Sequence, residues 1–174
     1  MGVTIHYCLG ARDGNAVERA LDLAELMARK WGMKAERKAP KWLIIWPHPE
    51  AETLEFYFHF KKAKEEALLG KLKRLTQGEL EWLMKELNNP LANKWVCSGS
   101  CKTQFAGVDV HMQVAEILRL VASFMSYVEI DDEADYYETR NLVQAAQAMN
   151  ICDEIIGTIA DGLQKAVRAE VTRH

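Results

Sequence analysis

The sequence predicts an α/β (α+β) protein, a mixed sheet of about five or six strands covered by helices and ending in a long C-terminal helical hairpin. Three observations carry this expectation. Residues 3–9 and 53–60 alternate apolar and polar side chains, the period of a half-buried strand. Residues 17–31 and 110–125 repeat apolar side chains at helical spacing. Residues 142–166 keep a seven-residue apolar repeat over four heptads.

Taken in order, Val3, Ile5, Tyr7 and Leu9 form one face of a first strand, and Gly10 to Gly14 read as a turn. Asn15 followed by Glu18 resembles a capping box opening a helix with Val17, Leu21, Ala24, Ala28 and Trp31 inside, and Gly32 as its stop. Trp42 to Trp46 is a two-sided apolar run closed by Pro47 and Pro49, and Thr53 to Phe60 is a further strand, so a hairpin is expected. Residues 61–75 read as helix, and Thr76 with Glu79 caps another that Asn88, Asn89 and Pro90 end. Around Ser98-Gly99-Ser100 the pattern predicts two short strands on a tight loop. Asp109 is expected to cap a helix with Val110, Val114, Ile117, Leu118, Val121 and Met125 inside. A short strand at Tyr127 to Ile130 leads into an acidic segment, and from Asn141 the chain is helical. Residues 1–174 suit one domain, with a candidate lobe boundary at 88–94.

At 49% hydrophobic residues with only 4 Pro, the chain can fill a core and is not of disordered composition. No apolar run reaches the ~18–20 residues of a membrane span, and no leader pattern opens the chain, so a soluble, cytoplasmic protein is expected. Net charge is −3, divided as +3 over residues 1–94 and −6 over residues 95–174. That balance argues against a nucleic-acid partner, and the aromatic stretch LEFYFHF lacks the RNA-binding strand pattern. Four cysteines without a leader suggest reduced thiols.

Candidate chemistry concentrates in two stretches. The loop CSGSCKT ends like a phosphate loop, but Val96 and Cys101 stand where that motif needs glycines, so nucleotide hydrolysis is not expected. Ser98, Ser100, Lys102, Thr103 and Gln104 still offer hydroxyls, an amide and a cation for an anionic ligand. Cys97 and Cys101 read as plain buried residues, a reversible disulfide, or half of a metal site. The second stretch, YVEIDDEADYYETR, holds six carboxylates in ten residues, more than helix capping requires. Its spacing rejects a calcium loop, but Asp132 and Glu133 could hold Mg²⁺ or Mn²⁺. Tyr137, Glu138 and Arg140 add an aromatic ring, a carboxylate and a bidentate donor.

Two functions follow as expectations. The first is a polar small-molecule or divalent-metal site formed by the 98–104 loop, His111 and residues 129–140. There Lys102 and Arg140 hold an anionic group, Asp132 and Glu133 a metal, and His111 moves protons with Asp132 and Glu133. The second is a non-enzymatic homo-oligomer, most simply a homodimer, with residues 142–166 as its seam, in which Leu142, Met149, Ile156 and Leu163 alternate with Ala145, Cys152, Ile159 and Ala166; the same repeat also suits packing within the chain against the helix expected over 109–126. No serine elbow, HExxH or GxGxxG motif occurs.

Overall fold

The computed structural model describes residues 3–62, 76–78, 81, 84–85 and 88–171, with side chains through Ile156 and at Thr158. Residues 63–75 of the helix expected over 61–75 and half of that over 76–87 lie outside the described residues, as do the side chains of Ile159, Leu163 and Ala166 in the heptad seam, while Lys61 ends a strand.

Strand β1 (Thr4–Ala11) is followed by helix α1 (Gly14–Lys30), then β2 (Lys34–Ala39), β3 (Trp42–Trp46), β4 (Leu54–Tyr57) and β5 (His59–Lys61). Strand β6 (Lys94–Lys102), helix α2 (Val108–Ala122), strand β7 (Tyr127–Asp132), the short helix α3 (Tyr136–Thr139) and the long helix α4 (Leu142–Val171) complete the described order. The strands form two antiparallel sheets, β5-β6-β1-β7 and β2-β3-β4, so the architecture is mixed α+β. Because β6 is antiparallel to both β1 and β5, those two strands run the same way, and the same reasoning makes β6 and β7 parallel. The path from β1 through α1 to β5 and the path from β6 through α2 to β7 therefore interleave as two split β-α-β units. The seven strands among the described residues are close to the five or six expected, and every pairing between them is antiparallel.

The alternation read in β1 is the one observed. Ile5, Tyr7, Leu9 and Ala11 point inward, beside Cys97 and Cys101 of β6, onto a layer made by α1 and α2. Leu21, Phe56, Ile117 and Leu118, all fully buried, are among its largest contributors. Each buried side chain of this size contributes roughly 1.5–3 kcal/mol.

Local details depart from the sequence reading for identifiable reasons. Helix α1 is capped by Asp13, whose carboxylate accepts from the Asn15 N–H at 2.9 Å, rather than by Asn15 with Glu18. Glu18 instead pairs with Lys41. Gly107, at φ +88°, takes the cap position expected of Asp109, which sits in the first turn of α2. The inward stripe of α2 includes His111 and leaves Val110 only half-buried. The strand expected over 53–60 breaks at Phe58, whose N–H turns to the Lys41 carbonyl, and β4 and β5 thereby belong to different sheets. Strand β2, KAERKA, has no apolar alternation and was not anticipated; a charged strand suits the open edge it occupies.

The expected loop at Ser98-Gly99-Ser100 is instead the middle of one nine-residue strand, β6. Gly99 lies opposite Tyr7 in the ladder, and the Tyr7 ring crosses it to donate its hydroxyl to the Glu55 carbonyl at 2.6 Å. A Cβ at Gly99 would stand 2.6 Å from the Tyr7 hydroxyl oxygen and 2.9 Å from Cζ. The glycine serves close approach across strands, not a turn. Gly99→Ala is expected to cost roughly 1–3 kcal/mol, read as a lower urea midpoint at unchanged slope.

Candidate functional site

The residues predicted to share one site lie in two different places, because successive strand residues point to opposite faces. Thr103, Gln104, His111 and Asp132 meet inside the protein. Ser98 and Ser100 lie on the outer face of the sheet.

The inner group is a closed hydrogen-bond network. His111 is fully buried on α2; its Nδ1 lies 2.7 Å from the Thr103 hydroxyl and its Nε2 lies 3.1 and 3.2 Å from the two Asp132 oxygens. The assignment that satisfies every group puts a proton on Nε2, donated to Asp132, while Thr103 donates its hydroxyl to Nδ1. Asp132 also accepts the N–H groups of Ala134 at 2.9 Å and Tyr137 at 2.8 Å. Gln104 accepts the Val3 N–H at 2.7 Å and donates to the Met149 carbonyl and to Asp153. The network thus joins the start of β1, the end of β7, and helices α2, α3 and α4.

Burial alone would raise the Asp132 carboxyl's pKa, but the hydrogen bond from His111 together with the two backbone donors outweighs it, and the group is held below the usual carboxylate range. Thr103 and His111 have no solvent exposure, so the Thr-His-Asp chain resembles a catalytic relay in connectivity while offering no accessible reacting atom.

The other predicted residues do not converge on it. Glu133 accepts the Thr4 N–H at 2.8 Å, while its own N–H donates to the Thr4 carbonyl, closing the strand end. The pair expected to hold a metal is therefore committed elsewhere on both members, and no group of three or more His, Cys, Asp or Glu side chains suited to a metal occurs among the described residues. Lys102 places its ammonium 5.5 Å from the Phe105 ring centre. Tyr137 packs under the Arg119 guanidinium at 4.6 Å, and Glu138 is exposed. Arg140 sits in the left-handed region at φ +55°, its Nε 3.8 Å from Glu116. No anion clamp from Lys102 and Arg140 is assembled by these contacts.

Cys97 and Cys101 project inward four residues apart on one strand, about 13 Å along it, beyond disulfide reach. Burial pushes each thiol up to about 12, leaving both unreactive.

On the outer face Ser98 and Ser100 join residues that the sequence did not single out. Strand β5 pairs with β6 only as far as Val96, so among the described residues the β6 edge beyond it has no strand partner there and faces β4 across a gap between the sheets. The gap is closed at one end by β5 and at the other by Glu52, whose N–H donates to the Lys102 carbonyl. A cleft of about 540 Å³ results, lined by Tyr7, Glu52, Thr53, Glu55, Tyr57, His59 and Ser98 to Ser100. Glu55 is oriented by the Trp42 indole N–H at 2.7 Å, and Tyr57 stands edge-on to Trp42 and stacked near His59. Period-two alternation places Glu55, Tyr57 and His59 on one side of their strands, but no sequence signal showed that the sheets part beside them.

No family model matches the chain, and neither a curated protein nor a solved structure matches it.

Two outcomes test the inner network. His111→Ala should cost roughly 2–4 kcal/mol by leaving a buried carboxylate without its partner. Because the Asp132 pKa is depressed in the folded state, its contribution is complete at neutral pH and lost as pH falls below about 4. Acid titration of stability should show that limb in the wild type and lose part of it in Asp132→Asn. Arg140→Gly should leave stability unchanged or raise it by about 1 kcal/mol, since glycine relieves the positive φ; an equal loss in urea unfolding would show that the Glu116 contact matters more.

Proposed function

We propose that this protein binds a small organic ammonium compound in the cleft between β4 and β6. The observation that carries the reading is the cleft's composition at the parting of the sheets: two carboxylates, Glu52 and Glu55, beside an exposed tyrosine ring and an imidazole, with no Lys or Arg side chain among the described residues of the lining. A carboxylate gives an ammonium its counter-charge, and an aromatic face attracts the same cation by about 0.5–2 kcal/mol. The Ser98 and Ser100 hydroxyls fit a ligand that also bears oxygen or nitrogen acceptors. An acidic lining opposes phosphate and carboxylate ligands, so the anionic ligand expected from Lys102 and Arg140 is not the one this cleft favours. In this reading His111 and Asp132 hold the scaffold and touch no ligand.

Butylamine and tetramethylammonium, added at about 100 times their dissociation constants, should raise the melting temperature by roughly 5–10 °C, whereas sulfate, Mg²⁺ and Mn²⁺ should not. Glu55→Gln and Tyr57→Ala should each weaken ammonium binding roughly tenfold. The reading fails if no ammonium compound binds, or if binding survives Glu55→Gln unchanged.

A second reading, self-association through α4, is favoured by one observation. Ala145, Met149 and Cys152 face the body, while Val143, Ile151 and Ile155 form a separate stripe left 66%, 56% and 40% exposed. Sedimentation of wild type and Ile151→Asp is the test: a concentration-dependent dimer that the substitution abolishes is expected, and a strict monomer removes the reading.

A further inference from the structure

A second hollow adjoins the cleft on the same outer face. It is lined by His6, Cys8, Glu129 and Asp131, and it shares Tyr7, Ser98 and Gly99 with the first. The strand register explains the continuity. Ser98 pairs with Cys8 and Cys8 with Glu129, while Ser100 pairs with His6 and His6 with Asp131, so two polar rows cross β6, β1 and β7 side by side. Lys61 and Lys94, paired in their own row beside β5, bound the surface on one side.

Building on the ammonium-binding reading, we infer that the ligand is a linear chain carrying at least two ammonium groups, one held at Glu52 and Glu55 and the other at Glu129 and Asp131. Strands stand about 4.8 Å apart, which puts Glu129 about 10 Å from Ser98 and farther from Glu55. A single compact cation cannot reach both carboxylate pairs. An extended polyamine can, with its methylenes lying over Ser98 and Gly99, which line both hollows.

The carboxylates have local supports that orient them without neutralising them. Glu129 accepts the Tyr127 hydroxyl, Glu55 the Trp42 indole, and Glu52 the Lys102 backbone N–H. Among the described residues none of the four acids is in an ion pair with Lys or Arg. Two contiguous hollows with an acid pair at each end therefore select for length as well as charge.

The test compares a linear with a compact triamine of equal charge, spermidine and tris(2-aminoethyl)amine, together with butylamine, by calorimetric titration of the full chain. Spermidine should bind at least about tenfold more tightly than the compact triamine. The double variant Glu129→Gln, Asp131→Asn should remove that advantage while leaving butylamine affinity and the melting temperature unchanged. Equal affinity for the two triamines, or a spermidine advantage that survives the double variant, overturns the inference and leaves the cleft reading standing if butylamine still binds. Absence of butylamine binding together with spermidine binding no tighter than the compact triamine overturns both.

Discussion

The buried chain of hydrogen bonds from Thr103 through His111 to Asp132 is the constraint on which the arrangement of this protein's sheet depends. A carboxylate and an imidazole removed from water are costly unless every lone pair and proton is used. Here they are: Asp132 receives His111 and two backbone N–H groups, and His111 receives Thr103. Satisfying them fixes where β7 ends, where α3 begins and how α2 sits against both. The neighbouring Gln104 extends the same logic to the first residues of β1 and to α4. A slip of one residue in β7 would carry Asp132 to the outer face and leave His111 unpaired, so the network also sets the strand register.

That register has a consequence on the other side of the sheet. With Asp132 committed inward, Asp131 and Glu129 must point outward, opposite His6 and Cys8. The acidic run is thereby divided: Asp132 is structural, Glu133 closes a strand end, Asp135 accepts from the Gln144 amide, and Glu129, Asp131 and Glu138 are presented to solvent.

Tyr7 plays the corresponding part where the two sheets separate. Its burial raises the phenol pKa, keeping the hydroxyl a donor, and that hydroxyl reaches the Glu55 carbonyl through the space Gly99 leaves. The sheets are tied at this point without being hydrogen-bonded as one, and the cleft opens above the tie. Fold and surface are linked here: a side chain at residue 99 would displace the Tyr7 ring that ties the sheets beside the cleft.

Much of this was legible from residue order alone. The alternation of Val3 to Leu9, the apolar run at Trp42 to Trp46 and the helical spacing of Val17 to Ala28 determined the class of fold, because burial follows local periodicity. His111, Thr103, Gln104 and Asp132 fall within one candidate site in the sequence, but that site also takes in Ser98, Ser100, Lys102, Glu133 and Arg140, which the structure places elsewhere. Their roles were not legible. Whether a histidine is a buried support or an accessible base depends on what covers it, and strand alternation sends Asp131 and Asp132 in opposite directions once the pairing is set. Strand β6 read as a loop because Ser-Gly-Ser has turn chemistry; only the Tyr7 ring lying across Gly99 explains that glycine. The outer groove joins residues more than seventy positions apart, from Glu52 to Asp131. Local sequence determined which segments are strands and helices, while long-range pairing alone decided which polar groups are buried and which line the outer cleft.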